Sequence, residues 1–305
     1  MNHDPAPTLS AEQTRALLPY PALLRALSLV VRQHAHHLIV APPRQALPLR
    51  DGGVLLSMPA AARDIAIHKL VTVAPRNAGR GLPTILGQLA CFDARSGMRL
   101  FALDGPAATA RRTAALSMLG IARLRRTPPR QVLIIGRGAQ AAAHIEALQA
   151  LHPAARILLS ATTLARARTF CRELGARGIA VEAVHGSIPD SIDTVITATS
   201  SATPVYTAAA RQDRLLIAIG AFTPAMAEVA APTVQASRIV VDDLDGAREE
   251  AGDLILAGID WGRVQTLGSL RRRPPGPVLF KTVGHAAWDL ACCRVARDAL
   301  RRTPE

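Results

Sequence analysis

The spacing of apolar and polar positions changes character twice along the chain. Over the first 50 residues apolar positions recur at helical spacing. Ser10 and Gln13 stand at capping-box separation, and Pro21 opens a run through Leu24, Leu27 and Val31, so two helices are expected. From Gly53 to Gly105 the pattern becomes alternating and rich in β-branched residues, over 54–58, 65–73, 84–92 and 98–103. The segment Asp93-Ala-Arg-Ser-Gly97 reads as a hairpin turn with glycine available for a left-handed position. An antiparallel sheet is predicted here. The alanine-rich stretch 107–124 has helical composition and ends in the basic, proline-interrupted run Arg125-Arg-Thr-Pro-Pro-Arg130.

After Gln131 the rhythm is strand, helix, strand. Short apolar runs at 132–135, 156–159, 181–184, 194–197, 215–219 and 239–241 alternate with helical or loop segments, as in a parallel sheet wound on both faces. A second basic, proline-rich segment, Arg271-Arg-Arg-Pro-Pro275, closes the block, and the two segments read as crossings between domains. On this reading residues 125–275 form one domain. Residues 1–124 with 276–305 form the other, to which a strand and a helix over 278–300 return. No internal repeat is visible.

Composition narrows the classes. A chain of 305 residues with 49% hydrophobic and 19% charged positions is neither disordered nor fibrous. No apolar stretch approaches the ~20 residues that cross a bilayer, and the N-terminal MNHDPAPT lacks a signal-peptide core, so a cytoplasmic protein with no membrane partner is expected. The four cysteines show no C-x-x-C spacing, so neither a zinc site nor a disulfide framework is expected. The net charge of +13 would permit nucleic-acid binding. However, 34 of the 36 basic residues are scattered arginines and aromatics make up only 3%, so no nucleic-acid partner is expected.

The sharpest motif is Gln131-Val-Leu-Ile-Ile-Gly136-Arg-Gly138-Ala-Gln-Ala141, a buried strand running into G-x-G-x-x-A and then a helix. Gly136 permits the tight turn, Gly138 lets a pyrophosphate approach backbone N–H groups, and Ala141 lets helix and strand pack closely. A Rossmann doubly wound parallel sheet is therefore predicted, plus a second α+β domain with the antiparallel sheet. The next strand ends Leu158-Leu-Ser160-Ala-Thr162-Thr163 without the acid that would take an NAD ribose. Ser160, Thr162 and Arg166 can instead donate to a 2′-phosphate, so NADP(H) is preferred, with NAD(H) possible; helix capping is the alternative use of these residues.

An enzyme acting on an acid needs cations for the carboxylate. Arg44 lies just past Pro42-Pro43, Lys69 sits within an apolar strand, and Arg112 lies in the alanine-rich helix. A lysine among hydrophobic neighbours is costly to bury without a negative partner. Taken singly, each of the three also fits a solvated surface. His285 and Asp289, at i and i+4, suit either proton transfer or helix packing. Asp242-Asp243 reads as a loop cap, the His34, His36, His37 group as a polar helix end, and no metal is expected.

Taken in order, Lys69-Leu-Val-Thr-Val-Ala-Pro, Gly81-Leu-Pro-Thr84, Arg112-Thr-Ala-Ala, Gly136-Arg-Gly-Ala-Gln140, Val241-Asp-Asp243, Glu250-Ala-Gly-Asp253 and Phe280-Lys-Thr-Val-Gly284 with Asp289 carry a resemblance. The chain resembles the ornithine cyclodeaminase/mu-crystallin family over nearly its whole length. The resemblance implies a Rossmann domain joined to a substrate-binding and dimerisation domain, in a homodimer whose antiparallel sheets meet. It implies that Arg44, Lys69 and Arg112 bind the substrate carboxylate, with Lys69 a candidate catalytic residue. It further implies that Thr84, Arg112, Ala139, Gln140, Thr199 and Thr282 contact the cofactor, with Gly136 and Gly138 at the pyrophosphate, and that Val283 forms the substrate wall. In the cyclodeaminases an essential aspartate follows a Gly-Gly pair; here the stretch is Gly220-Ala-Phe222-Thr-Pro224, and Leu56 stands at the position of a family glutamate. Ring closure with loss of ammonia needs that carboxylate. The expected activity is therefore NAD(P)H-dependent reduction of an imine such as Δ1-pyrroline-2-carboxylate, in proline metabolism. The alternatives are ornithine cyclodeaminase with catalytic NAD and a non-catalytic NADPH-binding protein like mu-crystallin.

Overall fold

The computed structural model describes residues 6–302. The chain begins with α1 (Ala11–Leu17), α2 (Tyr20–Ala35), β1 (Gln45–Pro48), β2 (Val54–Ala61), β3 (Ile65–Val73), β4 (Ile85–Asp93), β5 (Arg99–Asp104) and α3 (Gly105–Leu124). It continues through β6 (Gln131–Ile135), α4 (Ala139–Leu151), β7 (Arg156–Ser160), α5 (Leu164–Gly175), β8 (Glu182–Val184), β9 (Thr194–Thr197) and β10 (Leu215–Ala218). The last elements are α6 (Ala231–Gln235), β11 (Arg238–Val241), α7 (Leu244–Glu250), α8 (Gly252–Leu256), β12 (Gln265–Thr266), β13 (Val278–Lys281) and α9 (Ala286–Leu300). Among these residues no single helix is long and apolar enough to cross a membrane.

The chain divides into two compact units, residues 1–113 with 286–305, and residues 114–285. The first break falls inside α3, not at the basic proline segment expected from sequence. Asp193 explains the difference. Its carbonyl accepts from Arg125 Nη1 at 2.6 Å and its carboxylate from the Arg130 amide at 2.9 Å, which ties that segment into the second unit.

In the first unit, β1 to β5 form an antiparallel sheet in sequential order. Strand β3 alternates, burying Ile65, Ile67, Lys69 and Val71 on one face, where α9 packs. The expected hairpin is present: the Asp93 carboxylate accepts from the Arg95 and Ser96 amides, and Gly97 is left-handed at φ 72°. Strand β1 was not expected. All four of its residues are exposed, so no alternation marks it.

In the second unit eight parallel strands run in the order β12-β11-β13-β10-β9-β6-β7-β8. The order reverses between β6 and β9, which places a crevice at their carboxyl ends. Strand β13 was expected to return to the first unit; it lies between β10 and β11 instead. Its run Val278-Leu-Phe-Lys281 is wholly buried, the condition of a central parallel strand. Gly120 on α3 faces β13 so closely that a Cβ there would come 2.6 Å from the Phe280 ring.

Candidate functional site

At the carboxyl end of β6, Gly136 has φ 131°, and a Cβ on it would lie 2.3 Å from the Ala198 carbonyl oxygen. Only glycine fits this turn, because both the dihedral and the space exclude a side chain. Gly138 is the N-cap of α4 and has nothing within 4 Å of where a Cβ would stand, so the approach to the helix N-terminus is open. Beside it, the buried Oε1 of Gln140 has no hydrogen-bond partner among the described residues. An open glycine cradle, a helix N-terminus and an orphaned buried acceptor fit a dinucleotide.

Helix α4 is fixed from behind. His144, fully buried, lies 2.7 Å through Nδ1 from the Gln140 carbonyl and 2.8 Å through Nε2 from Ser117 Oγ. A carbonyl only accepts, so Nδ1 carries the proton and Nε2 accepts from the Ser117 hydroxyl. Burial pushes this imidazole down to about 4 from an ordinary 6.5, against a smaller opposing effect of the Gln140 carbonyl.

Past β7, Ser160 is half-buried and its carbonyl accepts from the Gly136 amide at 2.9 Å. Thr163 caps α5 by accepting from the Arg166 amide, while the Arg166 guanidinium donates to Thr162 Oγ1 at 3.2 Å. The capping is thus done by Thr163, and Arg166 lies over the turn.

A buried network that sequence reading missed organises the ends of β9, β10 and β13. The fully buried Glu228 accepts through Oε2 from Thr197 Oγ1 and the Gly220 amide, and through Oε1 from the Thr199 amide and hydroxyl, at 2.6–2.9 Å. Asp253 accepts from the Glu228 and Val229 amides and sits 3.0 Å from Lys281 Nζ. The available signal for Glu228 was a lone acid in the apolar stretch Ala227-Glu-Val-Ala-Ala. Asp242, read as a loop cap, accepts from Thr282 Oγ1 and from the Val283 and Gly284 amides at 2.8–3.1 Å. Asp243 caps α7. The candidate residues Thr199, Thr282 and Val283 are therefore each set by a buried carboxylate. Phe222 lies in the loop after β10 and is 47% exposed.

The first unit holds the cations. Lys69 is buried, and its Nζ lies 2.7 Å from Asp289 Oδ2. Arg112 approaches Oδ1 of the same carboxylate through Nε at 3.3 Å. These are ion pairs of close approach without aligned hydrogen bonds. Arg44 is near enough to act on Lys69 as a charge. Burial chiefly lowers the Lys69 ammonium from its ordinary range, opposed by Asp289 and reinforced by Arg112 and Arg44. The structure thus brings Arg44, Lys69 and Arg112 together. It places Thr84 in this unit too, exposed just before β4. His285 stands immediately before α9, which starts at Ala286, and Asp289 in its first turn is taken up by Lys69 and Arg112.

A glycine cradle at the switch point of a parallel sheet, with a buried cationic cluster in a separate α+β unit, defines a dehydrogenase-like protein built to take a dinucleotide and an acid. The chain belongs to the ornithine cyclodeaminase/mu-crystallin family, whose profile matches residues 9–303. It is 53% identical over 298 residues to "Delta(1)-pyrroline-2-carboxylate reductase 2" of Burkholderia ambifaria, covering 96% of each chain. It is also 53% identical over 302 residues to the Azospirillum brasilense "Delta(1)-pyrroline-2-carboxylate/Delta(1)-piperideine-2-carboxylate reductase", covering 97% of this chain and 96% of that one. Among solved structures, Thermococcus litoralis Delta(1)-pyrroline-2-carboxylate reductase in complex with NADH and L-proline matches with a TM-score of 0.87 at 25% identity, over 96% of this chain and 97% of that one.

Proposed function

We propose that the protein is an NAD(P)H-dependent reductase of cyclic imino acids, converting Δ1-pyrroline-2-carboxylate or its six-membered homologue to the corresponding amino acid. The observation that carries this reading is the pairing of buried Lys69 and Arg112 on Asp289 with the half-buried Arg44 near enough to act on Lys69 as a charge, a cationic cluster suited to a small carboxylate. Two relatives at 53% identity named for this substrate class support it. Phe222, where the lyases resembled by the sequence carry an aspartate, offers no carboxylate to a substrate amine, which argues against ornithine cyclodeamination.

In this reading the second unit holds the dinucleotide, which when bound supplies the hydride. The amides following Gly136 and Gly138 take the pyrophosphate, Gln140, Thr199 and Thr282 orient the rest, and Val283 forms the wall of the substrate site. Arg44, Lys69 and Arg112 fix the substrate carboxylate in the first unit. A substrate imine that arrives protonated is already electron-poor and takes hydride at carbon with no further proton, so the protein need supply only position; for an imine that arrives neutral, Lys69 is the candidate proton donor. Arg166 over the turn after β7, and the absence of an acid at Ser160 to Thr163, favour NADPH over NADH.

The apolar stripe Leu47, Leu55 and Leu86 with Thr72, aligned across four strands on the outer face of the antiparallel sheet, is read as the homodimer surface. Light scattering of the eluted protein at twice the chain mass is the expected result. The function is tested by following NADPH absorbance with Δ1-pyrroline-2-carboxylate and Δ1-piperideine-2-carboxylate. Turnover of at least one, with a higher kcat/KM for NADPH than for NADH, is expected. Folded protein that turns over neither sinks the reading, and ammonia release from ornithine replaces it with the lyase.

A further inference from the structure

Asp289 is fully buried on α9, and its two oxygens are divided between two cations, Oδ2 at 2.7 Å from Lys69 Nζ and Oδ1 at 3.3 Å from Arg112 Nε. Around Lys69 the charged groups are Asp289 from α9, Arg112 from α3 and Arg44 from the segment before β1. The neighbouring Cys292 thiol is pushed up chiefly by burial and then by Asp289, so it stays neutral and adds no second negative charge. Arg111, the next charged group along α3, is turned to the Leu18 carbonyl and the Tyr20 ring. Two cations therefore share one carboxylate, with Arg44 near enough to act on Lys69 as a third charge. A guanidinium does not give up its proton, whereas a buried ammonium does so readily. If Asp289 carried no charge, the relief open to the cluster would be loss of the Lys69 proton.

Composition points to the same position. The chain uses arginine for 34 of its 36 basic residues, and the two lysines, Lys69 and Lys281, are both buried against an aspartate. Position 69 thus keeps the one cation type whose charge depends on its surroundings. Arg112 meets Asp289 with its inner nitrogen nearest, at 3.3 Å, so this ion pair does not use the terminal fork of the guanidinium.

We propose that Asp289 is a positioning residue that acts through Lys69: it holds the Nζ in place as an ammonium, so that the cluster meets the substrate carboxylate with all three charges. The proposal rests on the reading of Arg44, Lys69 and Arg112 as the carboxylate site. Asp289 itself touches neither substrate nor cofactor. Its role is to keep the site charged when empty and to hold the Lys69 Nζ where the substrate carboxylate meets it.

With only two lysines, protein labelled with [ε-13C]lysine gives two side-chain signals, and Lys69→Met assigns them by the loss of one. In the wild-type protein without ligand the Lys69 signal is expected at its ammonium position throughout pH 6–8. In D289N its midpoint is expected to fall by about one to three pH units, the usual effect of an adjacent charge. The KM for Δ1-pyrroline-2-carboxylate in D289N is expected to climb with rising pH along the same midpoint, with kcat at saturation changed far less, and D289E should restore most of the wild-type profile. A purely structural role would lower activity by the same factor at every pH. A neutral Lys69 at pH 7 in the wild-type protein overturns the proposal even if D289N does not fold. A D289N protein with an unmoved Lys69 midpoint and a wild-type KM profile also overturns it. The resonance measurement needs no substrate, so failure of the reductase reading appears separately, as absence of turnover with the lysine titration as expected.

Discussion

The clamp behind the nucleotide helix makes the protein sensitive to mild acid in a calculable way. His144 is neutral in the folded state, donating to the Gln140 carbonyl and accepting from Ser117. Its pKa is lowered to about 4 from 6.5. Below pH 6.5 the unfolded chain takes up a proton at this residue, while the folded chain does not until about pH 4. Stability is therefore lost as pH falls through that window, at ~1.4 kcal/mol per pH unit, reaching about 3 kcal/mol at its foot. The assay is urea unfolding followed by circular dichroism for the wild-type protein and His144→Gln at intervals from pH 7 to 4. The other histidines are common to both and cancel in the difference. The wild-type advantage is expected to shrink by about 2 kcal/mol between pH 7 and 5. Because His144 stays neutral in the folded chain, the Gln140 turn of α4 is undisturbed over this range, and dinucleotide affinity of the folded protein should weaken through His144 only as pH approaches about 4. A stability difference that stays flat across this range, or a His144 ring signal titrating near 6.5, would refute the reasoning.

Three further outcomes are expected. Asp242→Ala strands the Thr282 hydroxyl and the Val283 and Gly284 amides, costing about 1–3 kcal/mol of stability; isothermal titration should show weaker dinucleotide binding, with the Arg44, Lys69 and Arg112 cluster intact. Gly120→Ala drives a methyl to 2.6 Å from the Phe280 ring; overpacking of about 1–3 kcal/mol should outweigh the ~1 kcal/mol gain in helix propensity, lowering the melting temperature. Arg112→Lys keeps the charge but loses the planar fork, so KM for the imino acid should rise about tenfold or more, and by a larger factor than KM for the dinucleotide, as steady-state kinetics will read.

What the sequence made legible is local in the chain. The Ser10/Gln13 capping box, the Asp93 to Gly97 hairpin and the strand, glycine loop and helix from Gln131 to Leu151 are each specified by residues close together in the chain, and each forms as expected. The position of β13 between β10 and β11 was not legible, because strand order is settled by pairings between distant segments. Asp289 was visible as an acid in a buried helix, but its partners are 220 and 177 positions away, and nothing in helical periodicity points to them. Asp242 was assigned to a loop from its sequence context, and that context could not show which amides it would hold.

The burial of Lys69 and Lys281 also shapes how the protein meets reagents and solvents. Acylating resins, glutaraldehyde and enzymes that acetylate side-chain amines would find no lysine on its outer surface to attack. Above neutral pH the side-chain positive field of the exterior comes from guanidinium groups, and alkali that strips protons from ordinary lysine-coated proteins would leave it in place.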